Sequence, residues 1–190
     1  MGNRDKLLEA ACATFGQKGY LATTVDDLLA TTGVSPSNFY YHFKSKEELA
    51  LECLERFFDE IRDELAPVLT DGRSTAAARL EQLRRRFVKR LSDQGCCGGC
   101  PLGNLAQELS DSHPAFRRRL AGFFEECMRG FEEIVREGVA SGQFRPGVDP
   151  RSAAYLLFGA IEGLILLSKS LKDVKPLDRG FRQAVELLKK

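Results

Sequence analysis

Apolar side chains recur along this chain at intervals of three and four residues, with polar side chains between them. In the first segment, Leu7, Ala11 and Phe15 fall on one face of a helix. The same period continues to the end of the chain, interrupted by Gly, Pro and helix-capping residues. The pattern predicts an all-α fold of about nine helices. They are expected near residues 4–18, 24–33, 35–43, 45–65, 75–92, 101–109, 112–140, 149–171 and 176–188.

The stretch from Thr24 to Lys46 contains two short helices joined by a tight turn. Thr24 and Ser35 are of the type that caps a helix N-terminus, and Pro36 suits the first helical position. Gly33 can adopt the left-handed conformation that ends a helix. This arrangement predicts a helix-turn-helix.

The second helix of this motif has an unusual polar and aromatic surface. Phe39 and Phe43 are spaced to anchor it in a core, which turns the remaining side chains outward. Tyrosine, histidine, serine and lysine suit base edges, thymine methyls and phosphates in a major groove, although a solvated helix of a bundle is the simpler alternative. The candidate DNA contacts are Thr24, Ser35, Pro36, Ser37, Asn38, Tyr40, Tyr41, His42, Lys44 and Lys46.

Residues 4–50 resemble the DNA-binding domain of the TetR/AcrR family of bacterial transcriptional repressors. The resemblance is carried by Ala10–Ala11, Phe15, Gly19–Tyr20, Thr24–Val25, Leu28–Leu29, Gly33-Val34-Ser35, Phe39–Phe43, Lys46 and Leu49. It implies a helix-turn-helix domain over residues 1–47 and a helical effector-binding and dimerisation domain over 48–190. It also implies a homodimeric repressor without enzymatic activity or cofactor. Its partners would be double-stranded operator DNA, a small-molecule effector and a second copy of the chain.

The charge of the chain does not itself favour nucleic acid. The net charge is +1, and residues 1–47 carry as many acidic as basic side chains. We therefore expect modest, salt-sensitive DNA affinity that depends on dimerisation. A dense basic run, Arg84–Arg90, is expected to be a solvated helix face, with an anion or acidic-ligand site, or a second nucleic-acid contact, as the alternatives.

Two further features indicate a cytoplasmic protein without a membrane segment. The N-terminus has no signal-peptide pattern. The longest apolar stretch, Ala153 to Leu167, is short for a membrane span and is interrupted by Glu162. The chain has six cysteines, which we expect to be reduced thiols.

A glycine-rich loop brings Cys96, Cys97 and Cys100 together just before a short helix. A thiol at a helix N-terminus tends to ionise, so these cysteines are thiol-sensing candidates. The segment Cys100–Asn104 resembles one found in family members that sense electrophiles or oxidants. Inert thiols, a thiol-disulfide redox protein using Cys97 and Cys100, and a metal pair are the alternatives. Zinc would need a fourth ligand, for which His113 is the nearest candidate, and no metal site is predicted.

Phenylalanines and a methionine concentrate on the middle helices, where the family's effector pocket is expected. Such side chains suit an apolar or aromatic ligand, and Glu162 is either a pocket carboxylate or a satisfied polar group at the dimer interface. The candidate pocket residues are Phe57, Phe58, Ile61, Phe87, Leu102, Leu105, Phe123, Phe124, Cys127, Met128, Phe131, Phe158 and Glu162.

The helix from Ala153 to Leu171 is apolar nearly all round, so it must be covered on two sides. One side would face its own core and the other a partner chain. Pairing the last two helices with their symmetry mates gives a four-helix interface, as in the family. The candidate interface residues are Leu157, Ala160, Ile161, Leu164, Phe181, Val185 and Leu188.

Overall fold

The structure is a computed structural model that describes residues 2–190. Over that range it contains nine α-helices and one isolated β-bridge, between Phe144 and Lys189. The helices are α1 (Asn3–Lys18), α2 (Val25–Thr32), α3 (Pro36–His42), α4 (Lys46–Leu69), α5 (Ala76–Asp93), α6 (Pro101–Leu109), α7 (Pro114–Ala140), α8 (Pro150–Leu171) and α9 (Lys175–Glu186). The prediction of an all-α fold with about nine helices is confirmed.

The contacts within the chain divide it into two compact units. Unit 1 comprises Met1–Glu60 and Pro101–Leu120, and unit 2 comprises Ile61–Cys100 and Ala121–Lys190. Helices α4 and α7 therefore contribute to both units. This division follows packing, and the functional boundary between residues 47 and 48 stays a prediction.

The start of unit 1 is organised by the capping residues that the sequence indicates. The Thr24 hydroxyl accepts a hydrogen bond from Asp27 N, and Asp27 accepts one from Thr24 N, which makes a complete capping box for α2. Gly33 ends α2 with φ 68°, a left-handed conformation that favours glycine. Ser35 caps α3, with Pro36 in its first turn. These caps fix both ends of the turn in the helix-turn-helix.

Helix α4 is longer than the sequence indicates. We expected it to end near Leu65, yet it continues through Pro67 to Leu69. A proline is tolerated there because only the last turn follows it. The free carbonyls at that end accept hydrogen bonds from the buried guanidinium of Arg79, which donates Nε to Val68 O at 3.1 Å and also donates to Leu69 O.

The basic run of α5 is only partly the solvated face that we expected, since Arg85 and Lys89 are exposed. Arg84 is buried and forms ion pairs with Glu81 on its own helix and with Asp178 on α9. Arg90 contacts Glu64 at 3.0 Å. Three of its five basic residues, Arg84, Arg86 and Arg90, thus contact groups on other helices of unit 2. A one-dimensional charge pattern cannot indicate such contacts.

Helices α5, α8 and α9 pack together in unit 2. Leu177 of α9 is fully buried with Leu91 and Cys96, and Gly180 allows close approach of Leu164 from α8. Of the helices in residues 2–190, α8 alone is long and apolar enough for a membrane span. A core helix of a globular protein passes the same test, so length and apolar composition alone do not identify a membrane span.

Candidate functional site

The most distinctive surface of unit 1 is the outer face of α3. Phe39 and Phe43 are fully buried and anchor α3 in the core. Tyr40 and Tyr41, which lie between them, are 59% and 80% exposed. Because the anchors are rigid and the tyrosines are not covered, the helix presents a fixed aromatic and hydroxyl surface to solvent.

Most of the other predicted DNA contacts are also accessible. Thr24, Ser35, Pro36, Ser37 and Lys44 are exposed, whereas His42 is half-buried. The His42 ring packs edge-on against Tyr41, with 4.9 Å between centroids. The exposed set therefore spans the start of α2, the turn and the whole of α3.

Two of the predicted contacts have a different environment from the one expected. Asn38 is half-buried, and its Oδ1 is turned inward without a hydrogen-bond partner. The Lys46 ammonium donates to Tyr20 O at 2.9 Å and to Thr23 O at 2.8 Å, so two of its three donors are used inside unit 1. Burial also lowers the pKa of Lys46 from its ordinary value.

Unit 2 contains a cavity of about 180 Å³ beside α4 and α7. It brings together Ile61, Phe123 and Cys127 from the predicted pocket. Burial raises the pKa of the Cys127 thiol to about 12, so this cysteine is a neutral apolar lining group near pH 7. The cavity is also lined by Arg62, Leu65, Ala66, Leu69 and Glu126, which the sequence analysis did not single out.

Arg62 and Glu126 form a bidentate ion pair at this cavity. Arg62 Nε donates to Glu126 Oε1 at 2.9 Å and its Nη2 donates to Oε2 at 3.0 Å. This hydrogen bonding lowers the pKa of Glu126. The guanidinium also lies 5.2 Å from the centre of the Phe123 ring. The cavity thus has apolar walls and one charged edge, which we missed because Arg62 and Glu126 fall on the polar faces of their helices.

The remaining predicted pocket residues do not line this cavity. In unit 2, Phe158 packs against Phe124 and Phe131 with centroids 5.6 and 6.3 Å apart, and Phe87 packs on the Leu91–Cys96–Leu177 cluster. Met128, on α7, is partly buried. The others lie buried in unit 1, where they belong to its own core: Phe57, Phe58, Leu102 and Leu105.

Glu162 of α8 is held by the cysteine loop. Its carboxylate accepts a hydrogen bond from the Cys100 side chain, and Arg90 lies near enough to interact with it electrostatically. Burial raises the pKa of Glu162, and these two neighbours oppose that shift. A carboxylate near a thiol is a ready acceptor for the thiol proton.

The loop cysteines occupy three different environments. Cys96 is buried, Cys97 is exposed and Cys100 is half-buried, and all six cysteines are free thiols. The Lys172 ammonium donates to Cys97 Sγ at 3.5 Å and to Cys96 O at 3.3 Å. In residues 2–190 no group of three or more His, Cys, Asp and Glu side chains could hold a metal ion.

The predicted dimer residues require a correction. Ala160 and Leu164 are partly exposed, but the rest are buried inside the protomer and have no surface to offer a partner: Leu157, Ile161, Phe181, Val185 and Leu188. For α8 the prediction chose the face that packs inside the protomer, because apolar residues lie on both sides of this helix. The large apolar side chains that are exposed on α8 and just after α9 are Tyr155, Leu156, Leu166, Leu167, Leu171 and, after α9, Leu187.

Comparison with known proteins supports the same assignment for both halves of the chain. Residues 7–53 match the family model for bacterial regulatory proteins of the tetR family, and residues 76–184 match the model for a tetracyclin repressor-like C-terminal domain. The chain belongs to the TetR family.

Relatives of this TetR-family chain are transcriptional regulators. It is 29% identical over 185 residues to the HTH-type transcriptional repressor DhaR of Mycobacterium sp. GP1, covering 97% of this chain and 91% of the relative. It is 33% identical over 152 residues to the repressor KstR2 of Mycolicibacterium smegmatis, covering 77% and 69%. The crystal structure of the regulatory protein TetR from Rhodobacter sphaeroides aligns with a TM-score of 0.88 at 28% identity, covering 97% of each chain. Membership makes this protein a DNA-binding transcriptional regulator, and the family consists of regulators rather than enzymes.

Proposed function

We propose that this protein is a homodimeric cytoplasmic repressor that binds a palindromic operator and is released from it by a small effector or by thiol modification. The observation that carries the proposal is the exposed polar and aromatic face of α3 above its two buried phenylalanines. Such a helix can enter a major groove without rearrangement, so little ordering free energy is lost on binding. Residues 1–47 are the DNA-binding part and 48–190 the part that dimerises and binds the effector.

Each exposed group of α3 has a DNA partner of suitable chemistry. The rings of Tyr40 and Tyr41 can contact thymine methyls, and their hydroxyls can bond to base edges or phosphates. The hydroxyls of Thr24, Ser35 and Ser37 lie near helix N-termini, where phosphate is favoured. Pro36, Asn38, His42, Lys44 and Lys46 complete the proposed contact surface.

Dimerisation is supported by the exposed leucines of α8. Exposed apolar area costs free energy in water, and Leu156, Leu166 and Leu167 are all about half exposed. We propose that these residues, together with Ala160 and Leu164, pair with α8 and α9 of a second copy. Binding to a palindromic operator requires the two α3 helices of such a dimer to lie about 34–36 Å apart, which is one turn of DNA.

The effector site is proposed at the cavity lined by Ile61, Phe123 and Cys127. An apolar cavity of about 150 Å³ is large enough for benzene, so a volume of about 180 Å³ favours a small aromatic or apolar ligand. The ion pair Arg62–Glu126 would orient a polar substituent. Phe87, Phe124, Met128, Phe131, Phe158 and Glu162 could line an enlarged pocket in the effector-bound state.

Thiol modification is the second proposed route of release. Cys97 is exposed beside Lys172, and Cys100 donates to Glu162. At one of these thiols the sulfur of the thiolate would form a bond to one alkene carbon of an electrophile such as a maleimide, which opens the carbon–carbon double bond. The proton that the thiol lost to a base would be taken up by the other alkene carbon, next to the carbonyl. Cys96 is buried and would react later. A thiol-disulfide redox protein is not favoured, because the family consists of regulators.

The experiment is a fluorescence-anisotropy titration of the DNA upstream of the protein's own gene. Tyr41→Ala should weaken specific binding by about tenfold or more, since base contacts carry roughly 1–3 kcal/mol. Gln17→Ala, an exposed change on α1, should leave it unchanged. Equal affinity of wild type and Tyr41→Ala for the specific DNA would refute the assigned reading face.

The route of release is tested on the same DNA complex. N-ethylmaleimide should release wild type but not the variant that lacks the sensing thiol, so Cys97→Ser and Cys100→Ser are compared. If both single variants and the double variant respond as wild type does, neither Cys97 nor Cys100 is the sensing thiol. Release by small aromatic compounds in the double variant would favour the cavity.

A further inference from the structure

The turn that joins α1 to α2, Gly19–Thr23, is held by side chains from distant parts of the sequence. Its first two free amides, Tyr20 N and Leu21 N, donate to Glu108 Oε2 at 2.8 and 3.1 Å. Glu108 lies on α6, within unit 1. Hydrogen bonds to an ionised carboxylate are roughly twice as strong as neutral ones, so this contact holds the turn firmly.

Lys46 holds the same turn through its carbonyl groups. Its ammonium donates to Tyr20 O and Thr23 O and lies 4.0 Å from the centre of the Tyr20 ring. The carboxylate of Glu108 also interacts favourably with this ammonium and favours its charged form. We call Glu108, Lys46 and the turn between them the turn clamp: an anion bonds its amides and a cation bonds its carbonyls.

The backbone of the turn is shaped for this contact. Gly19 has φ 88°, and a Cβ added there would lie 1.9 Å from Glu108 Oε1. Only a residue without a side chain lets the carboxylate approach so closely. On its other side, the Tyr20 ring packs against His113 and Phe116, with centroids 5.7 and 5.6 Å away.

The clamp connects to both helices of the helix-turn-helix. Its turn leads into Thr24, which caps α2. Lys46 is the first residue of α4, just after α3 and its anchor Phe43. A shift of the turn would therefore move the start of α2 relative to the end of α3.

We propose that Glu108 is a positioning residue for DNA binding: it fixes the α1–α2 turn and, through it, the orientation of α2 and α3. Because Glu108 lies on α6, a displacement of α6 would loosen the same contact. The proposal rests on the assigned DNA-binding function, but Glu108 itself lies outside the residues proposed to touch DNA.

The direction in which Glu108→Ala changes DNA affinity distinguishes a positioning role of Glu108 from a purely electrostatic one. Glu108→Ala removes a negative charge, which by itself would strengthen binding to DNA. Loss of the clamp instead predicts specific binding weaker by at least about tenfold, because two charge-assisted hydrogen bonds are lost. Non-specific binding should be unchanged or slightly stronger, and Glu108→Gln, which keeps one acceptor oxygen, should recover part of the specific affinity.

The test is anisotropy with the upstream DNA and with unrelated DNA of equal length, well below the melting temperature of each variant. Gln107→Ala, an exposed neighbour on α6, is the control. Hydrogen exchange of the Tyr20 and Leu21 amides should accelerate in Glu108→Ala and less in Glu108→Gln. If Glu108→Ala does not fold, the comparison is made with Glu108→Gln alone.

The outcomes are distinct. Wild type without specific binding would reject the proposed function. Specific binding of wild type that Glu108→Ala matches would reject the clamp. Where only Glu108→Gln folds, a match by that variant together with unchanged exchange of the Tyr20 and Leu21 amides would reject it. Parallel loss of specific and non-specific binding would reduce Glu108 to a residue that only supports folding, which also overturns the proposal.

Discussion

Helices α3 and α8 both expose large side chains, but the chemistry of the two surfaces differs. On α3 the exposed groups are Tyr40 and Tyr41, whose hydroxyls can bond to water when no partner is present. On α8 they include Leu156, Leu166 and Leu167, which gain nothing from water. The first surface therefore suits a partner that binds and leaves, and the second suits one that stays. We infer DNA for α3 and a second copy of the chain for α8.

The largest effect is expected on the buried side of α3. Phe39→Ala removes a fully buried ring and should lower the free energy of unfolding by about 3–5 kcal/mol. Tyr41→Ala on the opposite face should change it by no more than about 0.5 kcal/mol. Urea denaturation followed by circular dichroism measures both. If the two variants were equally destabilised, α3 would not have the two distinct faces described here.

The sequence predicts α3 well and α8 less well, for a physical reason. Caps and turn residues such as Thr24, Gly33 and Ser35 act locally, so the helix-turn-helix could be located from the chain alone. Because Phe39 and Phe43 were expected to face the core, only the opposite face of α3 could be exposed. In α8 apolar residues occupy every face, so the period cannot distinguish Leu157, which is buried, from Leu156, which is exposed. That choice depends on helices from elsewhere in the chain, such as α9, which packs on α8.

The candidate site shows the same division between local and long-range information. Ile61, Phe123 and Cys127 follow from the apolar stripes of α4 and α7. Arg62 and Glu126 could not be found, because their pairing depends on the register between two helices. Glu108 is the same kind of case: its sequence neighbours give no indication that its carboxylate bonds the amides of Tyr20 and Leu21.

The second effect concerns the α8 surface. Leu167→Glu would bury an unpaired charge in the proposed dimer contact and should weaken dimerisation by about a hundredfold or more. Sedimentation velocity should then show a monomer at concentrations where wild type is a dimer, with unchanged helix content. Gln17→Glu, at an exposed position of α1 outside the proposed contact, is the control. A dimeric Leu167→Glu protein would place the contact elsewhere.

The smallest effect depends on pH. It concerns the ion pairs of Glu81 on α5 and the pair Arg84–Asp178 between α5 and α9. Arg84 and Arg85 hydrogen-bond to Glu81, and Arg84 joins α5 to α9 through Asp178. These arginines lower the pKa of Glu81 from 4.5 to about 2. A carboxyl whose pKa is lower in the folded than in the unfolded chain stabilises the fold above its unfolded value. That stabilisation is lost as the pH falls through the folded value.

Wild type should therefore lose stability between about pH 4.5 and pH 2. Glu81→Gln should lose less over the same range. Since Glu81 is partly exposed, solvent screening keeps the difference to about 1 kcal/mol or less. Thermal denaturation at pH 6, 4 and 3 measures it, with Glu133→Gln on α7 as a control that removes a more exposed carboxylate. An identical pH dependence in wild type and Glu81→Gln would mean that solvent fully screens the ion pairs of Glu81 with Arg84 and Arg85.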